Sequence, residues 1–149
     1  MAEITLTVSQ SEVYTEVAKT TSYTGKKRGD EHYNPVYTTD EDATMLERFW
    51  NECKDTACEA LKRFLSAEAE DSDGSFTLTL ELSSSFDTNL TDSMTRSLFS
   101  FFVTGITSRW FKYFNKDESE DYERQAAAAL DDVTRKACFK KKPTRPTYS

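Results

Sequence analysis

One stretch constrains this chain more than any other. Leu90, Met94, Leu98, Phe101, Phe102, Ile106, Trp110 and Phe114 recur at helical spacing, and Phe99, Val103, Phe111 and Tyr113 widen the stripe. A helix apolar over so much of its circumference is central in the fold or sits between subunits. The spacing predicts a helix from Asp87 or Thr88 to about Phe114, with Gly105 inside it as a close helix contact or a bend. Trp50, Phe99, Phe102, Trp110 and Phe114 are the residues expected to form the core or a subunit interface, since aromatics are enriched in both.

The other elements follow from the same reasoning. Only 4 glycines and 3 prolines occur in 149 residues, so turns are few and elements long. A second long helix is predicted from Thr39 to about Ala67. Asp40, Glu41 and Asp42 suit its positive end, and Leu46, Phe49, Trp50, Cys53, Ala57, Leu61 and Phe64 hold one face. A shorter helix is predicted from Ser9 or Ser11 to a stop at Gly25. Asn115 to Asp121 open a last one, carrying Tyr122, Ala126, Leu130, Val133 and Ala137.

Two segments alternate instead. Ile4, Leu6 and Val8 interleave with threonines, and Phe76, Leu78, Leu80 and Leu82 do the same, which predicts two half-buried strands with an acidic turn over 68–75 leading the second. A lone pair of strands is marginal in water, so these must lie across the helices or be completed by another chain. The fold expected is α+β and helix-dominated: about four helices, two of them long, with a small two-stranded β element. One domain spans residues 1–138 and an extended basic arm spans 139–149.

Charge divides the chain. The net charge is −7, yet residues 135–149 hold six Lys or Arg and no acid, so the preceding residues carry −13. Lys140, Lys141, Lys142, Arg145 and Tyr148 make the arm a candidate partner-binding segment, and Pro143 and Pro146 pre-set an extended shape. The predicted loop over 25–39 is long for a compact domain, and its Lys26, Lys27, Arg28, Tyr33 and Tyr37 are candidate contacts. A net acidic body is not a general nucleic-acid coat.

Motifs for chemistry are weak. No two glycines are close enough for a phosphate loop. DSDGS at 71–75 resembles part of a calcium loop, but that register puts Ala69 and Leu80 where essential ligands belong. The single histidine, His32, is expected in a loop beside Glu31. Three cysteines, Cys53, Cys58 and Cys138, suit a reducing compartment, and none has a companion histidine on a recognisable motif. The N-terminus lacks the pattern of a signal peptide, and no apolar run is long enough to span a membrane. No metal, cofactor or small-molecule substrate is expected, and no catalytic residue is nominated.

The helix start TTDEDATMLERFW, the stretch SSSFDTNLTDSMTRSLFSFF and the terminal KKPTRPTYS resemble the small structural proteins of tailed-phage and prophage morphogenesis clusters of gut Bacteroidetes. The head–tail connector (adaptor) proteins are the nearest named group. That resemblance implies a mostly helical subunit in a homo-oligomeric ring between portal and tail, in the neck or tail of the virion, made in the host cytoplasm. It also implies an extended C-terminal arm that docks on the portal or a neighbouring subunit, here 139–149, and a lumen that passes DNA without reading its sequence. Connectors are often wholly helical, whereas this chain has two predicted strands, and a tail-completion or other neck protein fits the same layout. Two other classes suit the composition: a small intracellular protein-binding regulator of the anti-defence or anti-repressor type, and a nucleic-acid binder using the basic loop and arm.

Overall fold

The computed structural model describes residues 2–27, 43–66, 70–72, 74–113 and 115–140. Strand β1 spans Ala2–Ser9 and runs directly into helix α1, Gln10–Lys27. Helix α2 spans Ala43–Ala60, and strands β2 and β3 span Glu70–Ser72 and Ser75–Leu82. Helices α3, Thr91–Phe111, and α4, Lys116–Ala137, complete the chain's regular structure. The class is α+β and helix-dominated, as the periodicities imply.

The two expected strands pair with each other, antiparallel, from Ala2↔Leu82 to Ser9↔Ser75. This register sets Ile4 against Leu80, Leu6 against Leu78 and Val8 against Phe76, and all six side chains are buried. The threonines alternate onto the opposite face, where Thr5 and Thr7 are exposed. The two-stranded expectation needs one correction: β2 adds a three-residue edge, so the order is β1-β3-β2. The acidic stretch predicted as a plain turn thus supplies a strand as well. Its return runs through Gly74, whose φ of 72° is a conformation that suits glycine.

Helix boundaries differ where tertiary pairing competes. Helix α2 was expected to run to about Ala67 but stops at Ala60. The chain passes through a short 3₁₀ turn, Lys62–Phe64, and Leu65 forms a bridge with Leu80 while Ser66 N donates to Thr79 O at 3.1 Å. Pairing with β3 satisfies backbone groups that another helical turn would have taken. Helix α1 passes through Gly25, the expected stop, and ends at Lys27. At the start of α3, Asp87 Oδ1 accepts from Asn89 N at 3.1 Å and caps a 3₁₀ turn, Thr88–Leu90, that feeds the helix. Asn115 caps α4, its side chain accepting from the N–H groups of Asp117 and Glu118. Acids in the first turn and Arg135 and Lys136 in the last complement the helix dipole.

Helix α3 is the axis of the core. Eleven of its residues are buried, among them Phe101, Phe102, Trp110 and Phe111. Helices α1, α2 and α4 and strand β1 all pack on it. Trp50 of α2 lies 4.6 Å from the Phe102 ring, and Phe76 of β3 meets both, at 6.4 Å and 5.6 Å. Tyr14 of α1 meets Trp50 edge-on at 6.4 Å, so the cluster draws on four elements. The Phe102 side chain has no solvent exposure. Phe102→Ala is therefore expected to cost about 3–5 kcal/mol of unfolding free energy. Equilibrium denaturation of the two proteins measures the difference.

Candidate functional site

The residues expected to act fall in three places. Trp50, Phe102 and Trp110 lie in the interior of the single chain, so they build its core. Phe99 is only partly buried and faces the grooves between β1, α1 and α3, where it stands beside Val8, Ser9, Glu12 and Thr15. Phe114 lies outside the described residues.

The basic segments are mostly outside them too. Of the loop contacts, Lys26 and Lys27 belong by backbone to the end of α1 and not to a loop, while Arg28, Tyr33 and Tyr37, with His32 beside them, lie outside the description. Of the arm, Phe139 and Lys140 are described; Lys141, Lys142, Pro143, Arg145, Pro146 and Tyr148 are not. The root of the arm is fixed. Phe139 N donates to Lys136 O at 3.0 Å, and Lys140 forms an antiparallel bridge with Phe86. Helix α4 ends at Ala137 and the arm is expected from 139, yet Lys140 is still held by the body. Phe86 is buried and Lys140 exposed, so the bridge fixes the last described residue against the body. Phe139 beside it is 46% exposed.

A groove of about 410 Å³ runs between α2 and α4 over α3. Ala60, Gly105, Ala126 and Leu130 give it an apolar lining, and Arg109, Lys112, Glu123 and Asp131 are charged members of its wall. Its depth follows from small residues. A Cβ at Gly105 would sit 2.9 Å from Cys53 Sγ, so glycine lets α3 approach α2; Ala126 Cβ of α4, at 4.0 Å, would be in ordinary contact. Arg109 fastens the α2 side: its Nε donates to Glu52 Oε2 at 2.9 Å and its Nη1 to Gly105 O at 3.1 Å. Sequence reasoning flagged Gly105 but missed this ion pair, because nothing in the spacing of Glu52 and Arg109 links two separate helices.

Two polar clasps join α3 to α4. Ser97 Oγ donates to Asp132 Oδ2 at 2.6 Å, Lys136 Nζ pairs with the same oxygen at 2.8 Å, and Lys136 also donates to Ser93 Oγ. Nearer the turn, Ser108 and Ser119 are buried and each hydroxyl donates to the other's carbonyl at 2.8 Å. A serine beside a lysine suggests a nucleophile and a base. Here the ammonium is ion-paired and acts as a donor, so it has no lone pair to accept the Ser93 proton. Burial pushes the Cys53 thiol up to about 11, which keeps it protonated and unreactive near neutral pH. No group of three or more potential metal ligands occurs among the described residues.

The hydrogen bonds from Lys136 and Ser97 hold the Asp132 carboxyl below the usual carboxylate range. A depressed folded-state value means the clasp stabilises the protein above the unfolded pKa of about 4 and is lost as pH falls through the folded one. Thermal melts from pH 6 to pH 2 should therefore show a fall in Tm below about pH 4 that is shallower in Asp132→Asn. At the groove, Gly105→Ala should lower stability despite alanine's helix propensity, and Cys53→Ala should recover part of the loss. A double-mutant cycle reads that coupling directly.

No protein-family model, curated protein or solved structure matches this chain.

Proposed function

We propose that the chain is a non-enzymatic assembly protein of a tailed-phage virion, a head–tail connector subunit that joins portal to tail as part of a ring. The observation that carries this reading is the separation of charge at a fixed point. Residues 135–149 bear +6 against −13 on the rest, and the Phe86–Lys140 bridge holds the root of that basic segment against the body. A cationic, proline-punctuated segment anchored in this way suits an acidic groove on a neighbouring protein, since prolines reduce the entropy lost on docking. The polar clusters of the described body hold helices together, which agrees with a protein that acts through its surfaces.

In this reading α3 and its aromatic partners keep the subunit rigid while the arm and the outer surfaces make the contacts. DNA passes the assembled ring without base recognition. Because Lys140 pairs with Phe86, the informative cut follows it. Deleting residues 141–149 should leave the melting temperature within a few degrees, since the removed segment starts beyond the bridge. The same deletion should abolish co-assembly with the portal or tail protein of the same genome, read by light scattering of the mixture. Undiminished co-assembly refutes the role of the arm.

A further inference from the structure

We propose that the outer edge of β1 is the surface on which two copies of this chain join, strand to strand, about a two-fold axis at Leu6. The inference rests on the reading of the chain as a self-associating protein; a two-fold contact closes on a pair, so it stands beside the head-to-tail contacts that a ring needs.

The hydrogen bonds of the sheet fix which groups face outward. Gln10 N donates to Gly74 O at 2.8 Å, continuing the β1–β3 register by one pair. In an antiparallel ladder hydrogen-bonded pairs alternate, so the even-numbered residues of β1 bond to β3. Glu3, Thr5, Thr7 and Ser9 then aim their backbone groups away from the sheet. The partner strand is consistent: Ser66 N donates to Thr79 O, so the odd residues of β3 face away from β1. β3 is thus paired on both sides, by β1 on one and by β2 and Ser66 on the other. β1 is an edge, with no described strand beyond it. It is eight residues long, in continuous register, and carries no proline and no lysine. Edges usually bear such protection against strand pairing.

The occupant is argued from complementarity. A two-fold axis at Leu6 places Thr5 opposite the partner's Thr7 and Glu3 opposite the partner's Ser9, and engages all four outward residues. Moving the axis to Thr5 or Thr7 leaves one of the four without a strand residue opposite it. The chosen register also sets Ile4 beside the partner's Val8, so the apolar face stays continuous across the junction. The groove next to Thr7, Val8 and Ser9 carries Glu12 and Arg96, charges of both signs, so it can meet its own copy without like charges alone facing each other. Partly buried Phe99 lines the same groove. The basic arm is a poor alternative strand. Pro143 and Pro146 are three apart in sequence, so in any strand they would turn their missing N–H positions to opposite sides and one would face the edge.

The test uses the full chain and charges placed in register. Thr5→Lys with Thr7→Lys sets ammonium groups opposite each other across the axis. Thr5→Lys with Thr7→Glu sets opposite charges there. Light scattering over a concentration range should show a dimer for the natural sequence. The double-lysine variant should weaken it by about tenfold or more, and the lysine–glutamate variant should restore it. Hydrogen exchange should find the Thr5 and Thr7 amides protected in the dimer. Circular dichroism of both variants checks that the subunit stays folded. Oligomers that ignore all these substitutions overturn the β1 contact while leaving a self-assembling function intact. A monomer with freely exchanging Thr5 and Thr7 amides overturns it too, and leaves co-assembly with a portal or tail protein to be judged by the arm deletion. A monomer with protected amides shows the edge covered by the chain's own residues, and also overturns it.

Discussion

Helix α3 cannot be exposed on any broad side. Its buried residues include Leu98, Phe101, Phe102, Val103, Ile106, Trp110 and Phe111, which point in nearly every direction around the axis. Each aromatic ring removed from water contributes on the order of 2 kcal/mol, and only a shell of other elements on several sides can supply that burial. The sheet with α1, the helix α2 and the helix α4 are that shell, and their positions follow from this requirement. The Trp50, Phe76 and Phe102 rings are where the shell closes, with α2, β3 and α3 each giving one ring.

Polar side chains then decide how the shell is oriented. Apolar packing is non-directional, so helices around an aromatic axis could slide or rotate. The Ser97–Asp132–Lys136 clasp, the reciprocal Ser108–Ser119 pair and the Arg109–Glu52 bridge each fix one helix against α3. These groups are the ones that look reactive in isolation. In place, every buried side-chain nitrogen or oxygen among the described residues has a hydrogen-bond partner. They hold helices α2 and α4 against α3.

Much of the fold was legible because single-element periodicity carries it. The alternation at Ile4, Leu6 and Val8 and at Phe76, Leu78 and Leu80 gave both strands, and the apolar steps gave α2, α3 and α4. What periodicity could not carry was competition between elements. Phe64 and Leu65 extend the apolar stripe of α2, yet Leu65 leaves to bridge Leu80, and no local signal announces that. Gly25 reads as a stop but is tolerated inside α1 at a cost of about 1 kcal/mol. The three residues of β2 are too few and too polar for any alternation to register. Surface features were the least legible. The basic arm was visible from charge alone, whereas the outward-facing side of β1 depends on hydrogen-bond parity with Gly74, which only the paired sheet reveals.

The pairing of the first strand with the third has a consequence for synthesis. Partners run from Ser9↔Ser75 to Ala2↔Leu82, so each residue of β1 must wait 66 to 80 further residues for its mate. On a ribosome adding about 5–20 residues per second, that delay is on the order of ten seconds. The sheet can close only after all of α1 and α2 has been made, and until then residues 2–9 have no strand of their own chain to pair with.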